Sequence, residues 1–147
     1  MWIYFIFIAQ PANTDKLNQD TFPTAAEPIC KATLDKLSQI GVVNQKADTP
    51  QQRGDLAQRA DTELRVMVDQ LKTIAIPNTD DKHAVTLWLA DWDQWLADRA
   101  EWTAKLQQGQ DAQFLEKQRD DGAPNSKALN DFAEENLMRS CATPGGV

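Results

Sequence analysis

The sequence predicts an all-α protein, an up-down four-helix bundle preceded by an apolar N-terminal segment. Three observations carry this. Apolar residues recur at steps of three and four in four separate stretches, the spacing that puts side chains on one face of a helix. No stretch shows the strict alternation of a half-buried strand. Glycine and proline are few, 6 and 7, and fall between the periodic stretches, where they punctuate helices. A chain of 147 residues is long enough to bury one core.

The first nine residues, Met-Trp-Ile-Tyr-Phe-Ile-Phe-Ile-Ala, are apolar without a break. As a helix they would span only ~14 Å, about half a bilayer core. They lack the basic start of a signal peptide. The preferred reading of 1–9 is the tail end of a transmembrane or anchor helix. An atypical signal and a buried element of the fold are the alternatives. Residues 10–23 read as a polar, proline-punctuated linker, 24–144 as the helical domain and 145–147 as a tail.

The first helix is expected to start near Thr24 or Glu27, with Pro28 in its first turn, and to end at Gly41. Ile29, Cys30, Thr33, Leu34, Leu37 and Ile40 form its apolar face. The second has a clearer start. Thr49 is the cap, Pro50 the first helical residue, and Gln52 completes a capping box. Its stripe is Leu56, Ala60, Leu64, Met67, Leu71 and Ile74, and Pro77 stops it.

The third helix organises the rest. Residues 89–95 are echoed by 96–102, so Trp88, Trp95 and Trp102 recur every seven positions. Val85, Trp92, Arg99 and Leu106 form the partner series, and together they make one seam. Thr79 or Asp80 is the expected cap, and Gly109 the expected stop. Residues 111–119 are expected to form a short helix carrying Phe114 and Leu115, and 120–125 a loop. A final helix, capped by Asn125 or Ser126, should run to about residue 140.

Net charge is -7, with 22 acidic residues against 15 basic ones. That opposes nucleic-acid binding, which needs a basic surface. Cys30 and Cys141 lie far apart, and His83 is the sole histidine. A zinc site therefore lacks ligands, and neither a metal nor a cofactor is expected. The two cysteines suggest one disulfide in an oxidising compartment, or else two buried thiols.

The tryptophans read first as core, but four on one helix exceed what packing requires. Trp88, Trp92, Trp95, Arg99 and Trp102 are therefore the candidate interaction residues, since Trp and Arg are enriched at binding hot spots. Arg99 lies between Trp95 and Trp102 and, if buried, needs a carboxylate. Its own helix offers none at the right spacing, so Glu134, Glu135 or Asp131 of the final helix is the expected partner. Asp91 and Asp98 stand two turns apart on one face, as any acidic helix produces by chance. No nucleophile elbow, phosphate loop or calcium loop accompanies them, so no catalytic residue is assigned and no enzyme is expected.

The pattern Trp88-x-x-Asp91-Trp92-x-x-Trp95-x-x-Asp98-Arg99-x-x-Trp102 runs on to Leu106-x-x-Gly109-x-Asp111-Ala112-x-Phe114. The chain closes with Phe132-Ala133-x-x-Asn136-x-Met138-x-x-Cys141-x-x-Pro144. This resembles a family of small actinobacterial proteins with one membrane anchor followed by a helical extracytoplasmic domain. Two features depart from that family: Trp102 stands where a tyrosine is more familiar, and the apolar start is short for an anchor. The resemblance implies fold and compartment and transfers no catalytic residue. Two functions then compete. One is a non-enzymatic, membrane-tethered extracytoplasmic module that binds a protein or other cell-envelope partner. The other is a helical bundle that binds a small ligand in a Trp-lined cleft. An exposed Trp/Arg patch would favour the first and an enclosed pocket the second. A cell-wall hydrolase ranks third and would need a second carboxylate near Asp91 or Asp98.

Overall fold

The computed structural model describes residues 16–44 and 46–145. Among these residues four α-helices make up the fold: α1 (Thr21–Asn44), α2 (Pro50–Lys72), α3 (Thr79–Gln107) and α4 (Asn125–Glu135). A 3-10 turn, Arg139–Cys141, follows. Among the described residues no strand is present, and a single isolated bridge joins Gln118 to Pro124. The protein is all-α, as its periodicity predicts. The apolar segment 1–9 lies outside the described residues. No helix among those residues is long and apolar enough to cross a membrane.

The helices run antiparallel to their neighbours. Lys36 of α1 meets Glu63 of α2, Lys72 at the end of α2 meets Asp93 of α3, and Gly54 at the start of α2 abuts Gln107 at the end of α3. Leu129 of α4 accepts from the Trp88 indole, while Asn125 reaches the carbonyl of Asp91. The 11 residues of α4 therefore flank only the first half of the 29-residue α3. Opposite the second half of α3, irregular chain takes the place a full fourth helix would fill.

Local sequence sets several helix ends. Thr49 Oγ1 accepts from the Gln52 amide at 3.2 Å, and Gln52 Oε1 accepts from the Thr49 and Asp48 amides. Two helix-start donors are thereby satisfied reciprocally. The α3 cap is Asn78, whose side chain accepts from the Asp81 amide at 3.0 Å. This corrects the assignment to Thr79 or Asp80. Gly109 ends α3 at φ 85°, with the Gly109 and Gln110 amides returning to the carbonyls of Leu106 and Lys105. That is a Schellman closure.

Four boundaries differ from the sequence reading. Helix α1 begins at Thr21 and passes through both Pro28 and Gly41. Pro28 is exposed, so the backbone bond its ring removes is lost on the solvent side. Residues 17–23 belong to the bundle and not to a linker, since Leu17 and Phe22 are buried in the core. Asp81 holds them there, accepting from the amides of Asn18 and Gln19 and from the Asn18 side chain at 2.7–3.0 Å. Helix α4 stops at Glu135 because Leu137 turns the chain at φ 59°. The Met138 and Leu137 amides close back on Ala133 and Glu134 there, the same closure as at Gly109.

The fourth difference is the stretch 110–117, which forms no helix. Ala112, Phe114 and Glu116 turn inward while Asp111, Gln113 and Leu115 face solvent. This period of two is that of extended chain. We call residues 108–124 the strap.

Most of the core lies between α1, α2 and α3, with α4 closing one side. Cys30 and Cys141 form a disulfide, Cα atoms 5.0 Å apart, across 111 residues. It fastens the 3-10 turn to the middle of α1.

Candidate functional site

Helix α3 carries an aromatic ladder through the core. Trp88 stacks on Phe132 of α4 at 5.1 Å and meets Phe22 of α1 edge-on. Trp92 lies edge-on to Trp88 and to Trp95, and Trp95 edge-on to Phe114 of the strap. Edge-to-face pairs of this kind suit the ring quadrupoles. Trp88, Trp92, Trp95 and Arg99 are each at most 2% exposed. Trp102 alone of the five is half-buried. The candidate interaction residues thus form interior and cleft wall, and do not make an exposed patch.

Arg99 occupies the position where the repeat replaces Trp92. Its guanidinium lies 5.1 Å from the Trp95 ring, 5.3 Å from Trp102 and 5.8 Å from Phe114. The expected acid from the final helix is corrected: the partner is Asp61 of α2, whose Oδ1 accepts from Arg99 Nε at 2.5 Å. Asp61 Oδ2 accepts from the Thr103 hydroxyl at 3.0 Å. Glu134, Glu135 and Asp131 are exposed. The reason is the shortness of α4, which begins level with Asp91 and runs away from Arg99. Both members of the pair are buried, so each charge depends on the other for compensation.

The strap is held to α3 and α2 by side chains. Trp102 Nε1 donates to the Ala112 carbonyl at 2.8 Å, and the Lys117 amide to Asp98 Oδ2 at 2.8 Å. Arg119 pairs with Asp91 at 2.7 Å, and Arg53 of α2 with Asp111 at 2.6 Å. Asp91 and Asp98, which read as a paired-carboxylate candidate, each serve as an anchor for the strap. Glu116 accepts from the Ser126 amide at 2.6 Å. It supplies a carboxylate at the start of α4, where the cap position is Pro124 and makes no side-chain bond.

Between the strap, α2 and the end of α3 lies a half-open cleft of about 450 Å³. Trp95, Trp102 and Phe114 form its aromatic wall over Arg99, with Leu56 and Pro144 completing the apolar lining. Arg53 and Glu116 also line it. The volume falls in the usual range for small-molecule sites. The indole N–H of Trp95 is buried and has no acceptor among the described residues. A buried donor left unmatched costs about 1–3 kcal/mol. Trp92 Nε1 is likewise unmatched, but Trp92 does not line the cleft.

Sequence periodicity found Trp95, Arg99 and Trp102. It missed Asp61, Arg53 and Glu116. Asp61 did leave a signal: Ala57, Asp61, Leu64 and Val68 follow steps of four, three and four, placing an acid in an otherwise apolar row. Arg53 and Glu116 left none, because the strap that brings them together has no helical period.

Among the described residues no group of three or more His, Cys, Asp or Glu side chains is placed to hold a metal. Comparison with protein-family models, curated proteins and solved structures finds no match to this chain.

Proposed function

We propose that this protein is a non-enzymatic helical module that binds a small, flat ligand in the Trp95–Trp102–Phe114 cleft, outside the cytoplasm. The observation that carries the reading is the cleft itself: an aromatic wall beside a buried indole N–H that lacks an acceptor. Sites for small molecules combine such apolar lining with a few placed polar groups. The cell-envelope partner reading draws less support. Four of the five residues on which it relied are buried, and among the described residues the large exposed apolar side chains, Val66, Leu87, Leu115 and Leu137, are scattered over separate elements. The disulfide supports an oxidising compartment. Attachment to a membrane through residues 1–9 and kinship with the actinobacterial family rest on the sequence alone.

A thermal-shift screen of small aromatic compounds tests the reading, with Trp102→Ala as the comparison. Trp102 is half-buried at the cleft wall, so the variant should still fold. Compounds that raise the melting temperature of the parent protein should lose that effect in the variant. Stabilisation that survives Trp102→Ala, or a screen with no stabilising compound, would contradict it.

A further inference from the structure

Resting on the reading of the cleft as a ligand site, we infer that its ligand class is a planar aromatic carboxylate. The ring component follows from the walls. Trp102 and Phe114 line the cleft in tilted contact, centroids 5.7 Å apart, with the Arg99 guanidinium 5.3 Å and 5.8 Å from their rings. Such surfaces favour a flat, polarisable partner over a branched aliphatic one.

The carboxylate follows from Arg53. Arg53 lines the cleft with its side chain more than a third exposed, and the side chain of its partner Asp111 is 76% exposed. An ion pair that open to water is weak, so a ligand carboxylate exchanges for Asp111 at little cost. Arginine also suits the planar, two-pronged geometry of a carboxylate. Arg99 is not available in the same way, because Asp61 already compensates it inside the core. Glu116, the acid in the cleft lining, is held by the Ser126 amide at the start of α4.

Isothermal titration of the full chain with indole-3-carboxylate, indole and cyclohexanecarboxylate tests the assignment. Indole-3-carboxylate should bind about two- to fivefold more tightly than either of the others, the scale of one partly exposed ion pair. Arg53→Gln should remove the advantage over indole. Asp111→Asn, which deletes the competing carboxylate, should tighten acid binding severalfold and leave indole unchanged. Because the Arg53–Asp111 pair also anchors the strap, indole affinity, which both variants should keep, reports that the cleft is intact. Equal affinity for indole, or acid binding unaltered by Arg53→Gln, overturns the carboxylate while leaving the cleft as a ligand site. Equal affinity for cyclohexanecarboxylate overturns the aromatic component. If all three compounds fail to bind while other aromatic compounds stabilise the parent but not Trp102→Ala, the carboxylate class falls alone. Failure in both experiments removes the ligand site as well.

Discussion

Arg99 of α3 and Asp61 of α2 face each other inside the bundle, 2.5 Å apart, with indole rings on one side and the Thr103 hydroxyl on the other. The pair fixes how α2 and α3 slide past each other, because a shift by one helical turn would leave two buried charges unmatched. Asp61→Ala or Arg99→Ala should therefore each cost about 3–5 kcal/mol in denaturant unfolding. The double replacement Asp61→Leu/Arg99→Met should recover most of that loss, since packing two apolar chains is often no worse than a buried pair. A double variant as unstable as either single one would show that the pair stabilises in its own right.

Asp81 collects three hydrogen bonds from residues 18 and 19 while itself almost fully buried. Its carboxylate accepts from the backbone donors of the segment ahead of α1. Asp81→Ala should lower stability by about 2–3 kcal/mol. Amide exchange at Asn18 and Gln19 should accelerate in the same variant. Unchanged exchange would mean that another group holds this segment.

Leu137 adopts φ 59° with its side chain 76% exposed. It bears the left-handed strain of a helix closure and gains little packing in return. Leu137→Gly should stabilise the protein by about 0.5–1 kcal/mol, less than the full relief of strain because glycine loses more freedom on folding. Thermal unfolding measures the difference, and a loss of stability would show that the Leu137 side chain contributes packing.

Gly54 presents the opposite case. A Cβ placed there would lie 2.8 Å from the Gln107 backbone nitrogen and 3.0 Å from Leu106 Cβ. Alanine gains about 1 kcal/mol in helix propensity over glycine, whereas overpacking against backbone costs about 1–3 kcal/mol. The clash should win, and Gly54→Ala should destabilise. A stabilised variant would mean that the ends of α2 and α3 lie further apart.

The disulfide closes 111 residues. In the chain-entropy account, replacing both cysteines by alanine should cost up to about 5 kcal/mol. Chemical denaturation of the Cys30→Ala/Cys141→Ala protein checks this. Stability within about 1 kcal/mol of the parent would show that other contacts already hold the 3-10 turn to α1.

How much of this is legible in the sequence depends on how local the cause is. The start of α2 was readable residue by residue, because Thr49, Pro50 and Gln52 act on one another within a single turn. The Trp seam was readable from its seven-residue spacing. The C-terminal closure of α4 was not, because leucine, unlike glycine, does not announce a left-handed residue. Gly41 misled for the converse reason: no neighbour requires a turn there, and α1 continues through it. The strap was invisible because tertiary partners shape it, namely Asp98, Asp91, Arg53 and Trp102. The Arg99 partner was sought on the final helix on the assumption of four helices of equal reach. The half-length α4 broke that assumption and also opened the cleft.

Trp92 and Trp95 provide an internal comparison for that cleft. Both carry buried indole N–H groups without an acceptor among the described residues, and only Trp95 lines the cleft. The direct measurement is a two-dimensional 15N–1H spectrum of the indole signals during titration with indole-3-carboxylate, each signal assigned by substitution to phenylalanine. The account predicts that the Trp95 and Trp102 signals move with a common saturation curve while those of Trp92 and Trp88 stay in place. If the Trp95 signal stays in place through a titration that saturates binding, or moves no further than that of Trp92, the ligand is not in this cleft and the account is contradicted.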